Sequence, residues 1–547
     1  MSLLLPLQLL SINMLLRNGS FNIDEYNFNK FISTGKLVYH SGKKNIYVNG
    51  SEYWIPEVKG WLPYNEKFLK SLLDECHKEN KEQTLLACSS LLSSTLISDG
   101  YVSSRVYSID KGNQKYIEIV KGKLVEVRIS SEDDILKKYI KKKTSLLVGN
   151  VLHVPTLEKV INEINSEKNI SNVTGDLSTL GSDPSKTILN INVDRISKKW
   201  KREILISNQG IVGSGELKTN LILAKEGLFD WKDLFISINE VTSDKNLKIG
   251  NYSTSILYQR PIFNDFYLTS SVNLSRRKLI EEKSPLNKIK FNQIQVLTKL
   301  SKSLLSTSFF NLNSFLGLNL SKSESFFSGE RIGLIKGTGN KGVLQTAYIN
   351  SGILGTTKNK NYKLTGSLSV NQSISSFTPK SQRENLISDN IYLVKARAIQ
   401  AGLDLQKFIT SKLSFNSRFN SQIALGNLPN DMSFSFGSEE GFSSLPGSIS
   451  SGDSGWYLIN DFTREISNNS QRSIKLSPFF GIGLINKSSP QYEKDYIGSA
   501  GVIALLEKKN MNFEIGLVEK FFTENNPGSW NNWLLSSGVY TKLIYKF

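Results

Sequence analysis

The sequence is most informative, at first, in what it lacks. Nowhere in its 547 residues is there an apolar run of about 18, the length a transmembrane helix needs. That excludes a helical membrane protein. It leaves a membrane β-barrel open, because only every second residue of a barrel strand faces lipid. Cysteine is nearly missing. Cys76 and Cys88 are the only two; they either pair in an oxidising compartment or stay as buried free thiols, and the sequence leaves both open. The three histidines, His40, His77 and His153, all precede residue 154. These numbers are too small for a cysteine-type metal site, and no metal or other cofactor is expected. There is no zinc-finger spacing and no RNA-recognition signature. The net charge of +18 is high, but the lysines are spread along the chain. The cluster KKYIKKK (137–143) reads as a solvated helix face, so no nucleic-acid partner is expected.

Two short motifs suggest chemistry and fail on context. KGTGNKG (336–342) is formally GxGxxG through Gly337, Gly339 and Gly342. A dinucleotide site needs a strand before it and a helix after it, whereas VLQTAYINSG, which follows, alternates like a strand. SGDSGW (451–456) resembles the surroundings of a serine nucleophile at Ser454, but every histidine lies in the first third of the chain, far from it in sequence. No enzyme is expected.

The chain changes character twice. Residues 1–19, MSLLLPLQLLSINMLLRNG, are apolar enough for a signal-peptide core but lack its positive lead and a small-residue cleavage site. They are read as a candidate signal peptide or anchor, and export is expected. Residues 20–52 read as a linker or small hairpin. Between 53 and 125, FLKSLLDE and TLLACSSLLSSTLIS carry apolar residues at helical spacing (Leu85, Leu86, Leu91, Leu92, Leu96, with Ala87 and Ile97), and two β-rich runs follow. Residues 126–195 repeat the order: VEVRI, two helical stretches, then NVTGDLSTLGSDP and TILNINVDR. Two α+β units in tandem are expected.

From 196 to 547 helical signals almost vanish. FYLTSSVNLS sets Phe266, Leu268, Val272 and Leu274 against Thr269, Ser271, Asn273 and Ser275; YKLTGSLSVN and KLSFNSRFN repeat the pattern. The polar face is Ser, Thr, Asn and Lys. A soluble β-sandwich or solenoid would alternate too. The length of the region, and the terminal run GVYTKLIYKF with Val539, Thr541, Leu543, Tyr545 and Phe547 on one face, favour a transmembrane antiparallel barrel of about 16 strands.

ISDGYVSSRVYSI (97–109) and IEIVKGKLVEVRI (117–129) resemble the first POTRA domain of the two-partner secretion transporters, the ShlB/FhaC type of outer-membrane exporter, with Gly100, Tyr101, Val102, Arg105 and Tyr107 matching the family's turn. GLFDWKDLFISINE (227–240) and YSTSILYQRPIFNDFYLTSSV (252–272) resemble its first barrel strands. FSFGSEEGFSSLPGSISSGDSGWYLINDF (434–462) resembles the loop that folds back into the barrel: Gly437, Gly455, Trp456 and Tyr457 fit. The family's Val-Arg-Gly-Phe/Tyr tetrad falls on Phe442, Ser443, Ser444 and Leu445, so its arginine is absent. In SPFFGIGLI (477–485), with Phe480, Gly481 and Gly483, the place of the aspartate that pairs with that arginine is held by Gly481. Losing both partners together is physically coherent, because one unpaired charge inside a barrel costs several kcal/mol. The loop is then expected to be held by backbone and hydroxyl hydrogen bonds, or to move more freely.

The resemblance implies an outer-membrane exporter for a large partner protein, with periplasmic POTRA domains binding the unfolded partner. Binding would be by strand addition at Ser104–Ile109 or Tyr116–Val120. It also implies that Tyr545 and Phe547 form the signal read by the barrel-assembly machinery, and that Phe547 helps close the barrel in lipid. No amphipathic plug helix is seen in residues 20–50. A barrel-assembly factor of the same superfamily and a passive channel or porin are the alternatives.

Overall fold

In the computed structural model of the chain, residues 45–48 and 51–547 are described, apart from 113, 166, 168–169, 196–198, 264–265, 308, 448, 470–471, 487–493 and 523–529. The expectations for residues 1–44 (signal peptide or anchor, most of the linker, no plug helix) lie outside the described residues. The chain divides near residue 197 into two compact units.

The first unit starts with a two-stranded hairpin, Asn45–Val48 on Ser51–Trp54, which runs past the expected linker boundary at 52. A strand–helix–helix–strand–strand motif follows: Glu57–Gly60, Glu66–Glu75, Lys81–Ser98, Arg105–Lys111 and Gln114–Val120. Asn65 and Asn80 cap the helices through side-chain bonds to the amides of Phe68 and Glu82. Leu85, Cys88, Leu92 and Leu96 fill the core with Ile117 and Ile119, while Leu86 and Ile97 face outward. The cysteines are disulfide-bonded. They lie on two elements: Cys76 caps the first helix and Cys88 sits within the second.

The motif repeats in Lys123–Ser130, Asp134–Thr144, Val154–Asn165, Ile170–Leu180 and Asp183–Arg195. Its first strand begins at Lys123, three residues ahead of the expected boundary at 126. Residues 137–143 are helical, with Ile140 buried, as expected of a solvated face with one apolar edge. In each three-stranded sheet the last strand is central. Gln114–Val120 is therefore paired on both sides, parallel to Glu57–Gly60 and antiparallel to Arg105–Lys111. This corrects one expectation. Tyr116–Val120 is not a free edge; Arg105–Lys111 is.

The second unit is a closed antiparallel barrel of 16 strands, with the two-residue strand Glu330–Arg331 added to one of them. The first strands are Lys201–Ser207 and Leu217–Glu226, so the run 227–240 leads into the third, Leu234–Ser243. The alternation resolves inside out relative to a soluble protein. In Phe266–Lys278, Val272 and Leu274 are exposed while Thr269 and Asn273 are buried. In Tyr362–Ser373, Leu368 and Val370 are exposed while Asn371 and Ser373 are buried. An apolar outer wall around a polar interior is stable only when the outer wall meets hydrocarbon.

Short turns join the strands at one end, where the barrel's first and last strands also begin and finish; long loops join them at the other. KGTGNKG lies in one of the long loops and leads into the strand Val343–Lys358. The last strand, Val539–Lys546, pairs with Met511–Phe522 on one side and with Lys201–Ser207 on the other, and Phe547 N–H donates to Arg202 O at 3.0 Å. Tyr545 and Phe547 are stacked and exposed on the outer wall.

Candidate functional site

The candidate site is the loop between the strands Leu413–Ala424 and Ser454–Asn469. Its sequence places small residues between aromatic ones, which lets the backbone turn tightly and pack closely. Phe434–Phe436 pairs with Ser450–Gly452 in a small antiparallel ladder, and the segment between them turns into the lumen. Asp453 is the bend that returns the chain to the wall, so SGDSGW is a turn and a strand start, and Ser454 Oγ accepts from the amide of Ala424.

Phe436, Phe442 and Leu445 are fully buried with Tyr457, Ile459 and Ile485. Ring centroids lie 5.6 Å apart for Phe436–Phe442 and 5.8 Å for Phe442–Tyr457, a spacing at which aromatic pairs attract beyond their burial. The rings rest on two glycines of the strand Arg472–Asn486. A Cβ on Gly481 would meet Phe442 Cε1 at 3.0 Å, and one on Gly483 would meet Phe436 Cζ at 2.5 Å. The two positions where the resemblance placed an ion pair thus do other work. Gly481 is a flat seat for the Phe442 ring, and Ser443 offers its carbonyl to Gln209 Nε2 at 3.0 Å.

Hydroxyl and backbone bonds hold the loop, as expected. Gly447 N–H donates to Gly210 O at 2.7 Å, Ser444 Oγ to Ser499 Oγ at 2.7 Å, and Ser450 Oγ to Asp495 Oδ2 at 2.6 Å. Charge holds it too, at residues the sequence did not single out. Lys218 Nζ is 2.7 Å from Glu439 Oε1 and 2.9 Å from Glu240 Oε2, with side chains only 10%, 13% and 7% exposed. Arg418 Nη1 donates to Glu440 O at 2.8 Å, and its Nε lies 3.2 Å from Asp404 Oδ1. Gly441, at φ +112°, passes so close to Arg418 that a Cβ would come within 2.9 Å of Nη1. The loop therefore has a lysine anchor near the barrel seam and an arginine anchor on its own hairpin. One signal existed in the sequence: the paired acids Glu439-Glu440, the sole charges between Asp431 and Asp453. Lys218 and Glu240 look like any other polar residue of an alternating strand.

Beside the loop is a lumenal cavity of about 290 Å³ lined by charges of both signs, among them Asp404, Arg418, Asp461, Glu514 and Lys542. The loop bridges this lumen from strand 413–424 to the strands on either side of the seam.

The family model for the haemolysin secretion/activation proteins ShlB/FhaC/HecB matches residues 185–504. The chain belongs to this family. The ShlB/FhaC/HecB proteins are outer-membrane β-barrels of protein secretion. Solved structures agree on the fold. CdiB from Escherichia coli is similar with 14% identity and a TM-score of 0.60, over 99% of this chain and 97% of that one. CdiB from Acinetobacter baumannii has 14% identity and a TM-score of 0.59 over the same shares. BamA from Haemophilus ducreyi lacking POTRA domains 1–3 has 10% identity and a TM-score of 0.56, over 90% of this chain and all of that one. No curated protein matches the sequence.

The remaining expected residues lie in the first unit. Gly100 has φ +87°, and its carbonyl accepts from Val154 N–H at 3.0 Å. Tyr101 sits between Trp61 at 5.3 Å and His153 at 4.8 Å. Arg105 Nη1 donates back to the carbonyls of Val102 and Ser104. Gly100 and Tyr101 thus join the two motifs and Arg105 ties up the turn at Val102, whereas Tyr107 is exposed on the edge strand.

Proposed function

We propose that this member of the secretion family exports a large partner protein, adhesin- or haemolysin-like, by two-partner secretion. The two α+β motifs, at residues 53–125 and 126–195, are read as POTRA domains on the periplasmic side of the outer membrane. They take the unfolded partner by strand addition at Arg105–Lys111, with Tyr107 exposed beside it, or at the longer edge Ile170–Leu180. The single observation carrying this reading is a closed barrel whose polar lumen is bridged by a loop held through reversible contacts, preceded by two sheets with free edges. Partner chain entering the lumen would displace the loop from Lys218 and Arg418. Export in this scheme needs no nucleotide, since folding outside makes passage one-way.

Tyr545 and Phe547 are read as the element recognised by the barrel-assembly machinery, and the pairing of the last strand with Lys201–Ser207 as the seam that seals the wall in lipid. The rival within the superfamily is a barrel-assembly factor. The extracellular proteins of cells with and without the gene decide between them. Loss of one large secreted protein, restored on complementation, supports export. Unchanged secretion with depletion of other outer-membrane barrels supports assembly. No change in either, with steady conductance of the purified protein in a bilayer, supports a passive channel.

A further inference from the structure

On the outer wall, near the long-loop end, the strands Phe266–Lys278, Ile289–Ser306 and Phe310–Phe327 carry a register of outward residues that changes abruptly. Val272, Val296 and Leu320 stand side by side in one row. The next row is Leu274, Ile294 and Lys322, and the one after it is Arg276, Asn292 and Glu324. The last row is Lys278, Lys290 and Phe326, with Arg331 paired beside Phe326. That these face outward follows from their neighbours: Arg277 is turned the other way and bonds Val212 O and Ser214 Oγ, and Asn273 is buried. Rows two residues apart are separated by about 7 Å. The wall therefore passes from wholly apolar to strongly basic within about 20 Å.

The patch holds five cations, Arg276, Lys278, Lys290, Lys322 and Arg331, against the single carboxylate Glu324. Lys322 and Arg331 share that carboxylate, at 3.1 and 2.9 Å. Glu330 pairs with Phe327 and points to the other face. Arg276, Lys278 and Lys290 have no carboxylate bond among the described contacts and repel one another. Phe326 lies beneath two of the cations, 5.1 Å from Lys290 Nζ and 5.9 Å from the Arg331 guanidinium. Elsewhere the same level is built differently. On the strands Ser454–Asn469, Arg472–Asn486 and Lys494–Lys508 the outermost row is Ser454, Asn486 and Lys494, above Trp456, Leu484 and Tyr496. That is an ordinary aromatic girdle with one cation. The basic patch is thus local and not a general property of a basic chain.

We propose that this patch binds the headgroup of a lipid bearing more than one phosphate, with its acyl chains against Val272, Leu274, Val296 and Leu320. Charge complementarity selects the headgroup, since clustered cations in a thin polar layer need clustered anions to offset their repulsion. The apolar rows directly below select a lipid rather than a soluble anion. Binding weakens with salt, because the contacts are exposed. The inference is independent of the export reading.

The test is native mass spectrometry of the full chain in detergent, titrated with diphosphorylated lipid A, the same lipid with its phosphates removed, and inorganic phosphate. The expected result is retention of the diphosphorylated lipid alone. Each cation near an anionic surface is worth roughly fivefold in binding, so R276Q/K278Q/K290Q lowers retention on the order of a hundredfold. R276K/K278R/K290R retains the lipid, and K302Q/K407Q at the short-turn end changes nothing. Should the triple glutamine variant not form a barrel, R276Q and K290Q singly each lower retention about fivefold. Wild-type retention by the glutamine variants, equal retention of the dephosphorylated lipid, or inorganic phosphate bound as tightly as the lipid overturns the proposal.

Discussion

The ammonium of Lys218 stands between two carboxylates, 2.7 Å from Glu439 on the lumen loop and 2.9 Å from Glu240 on the neighbouring strand. The loop supplies the acid and the wall supplies the base, the reverse of the arrangement expected for a loop arginine and a wall aspartate. Removing one member of such a buried group leaves an uncompensated charge and costs about 3–5 kcal/mol. K218M and E439Q are expected to free the loop tip and raise single-channel conductance. The exchange K218E/E439K restores one opposite-charge contact between loop and wall but sets an acid beside Glu240, so it should return conductance only part of the way toward the wild-type value. Equal conductance in all three variants would remove Lys218 as an anchor.

A side chain at Gly481 would press on the Phe442 ring, which a Cβ there would meet at 3.0 Å. G481V is expected to destabilise the barrel by about 1–3 kcal/mol through overpacking. The pair S443R/G481D, which restores both charges at the positions resembling the family's lock, should be no more stable than G481D alone, since the ring stands over position 481. Thermal unfolding of the purified barrel checks this; a stable double variant would show that the ring moves aside easily.

The loops at the long-loop end should respond to pH through Glu281. Burial, with Asp244 and Glu216 nearby, pushes its carboxyl up to about 7, while Trp533 Nε1 donates to it at 3.0 Å. The folded state therefore holds a proton that the unfolded chain releases at a lower pH. The stabilisation is present at low pH and is lost as pH rises through about 7. Thermal unfolding midpoints should fall between pH 5 and 8 in the wild type and stay flatter in E281Q.

The bond between Cys76 and Cys88 closes a separation of 12 residues, worth about 3 kcal/mol in the chain-entropy account. Reduction, or C76A/C88A, should lower the melting temperature of the first unit and leave the barrel transition in place.

Deleting Phe547 removes a residue whose amide bonds Arg202 O and whose ring stacks on Tyr545. On the reading above, the truncated chain should accumulate unassembled. Normal heat-modifiable mobility of the truncated protein in membranes would reject that role.

The sequence by itself determined the repeat of two α+β motifs, the barrel and its approximate strand number. Those rest on local periodicity, and a strand's two faces are written in every second residue. Which face met lipid was also legible, because a Ser, Thr and Asn face is a poor core but a good lumen lining. Only the tertiary structure decided which strand of each small sheet is an edge, since pairing order is not a local property. It also decided what holds the lumen loop. Glu240 lies 22 residues from Lys218 on the next strand, where hairpin pairing brings the two together, but Glu439 lies 221 residues away, and only the folding of the loop into the lumen brings it within 3 Å of Lys218. The same holds for the basic patch. Lys278, Lys290 and Arg331 lie on separate strands until register sets them in one row.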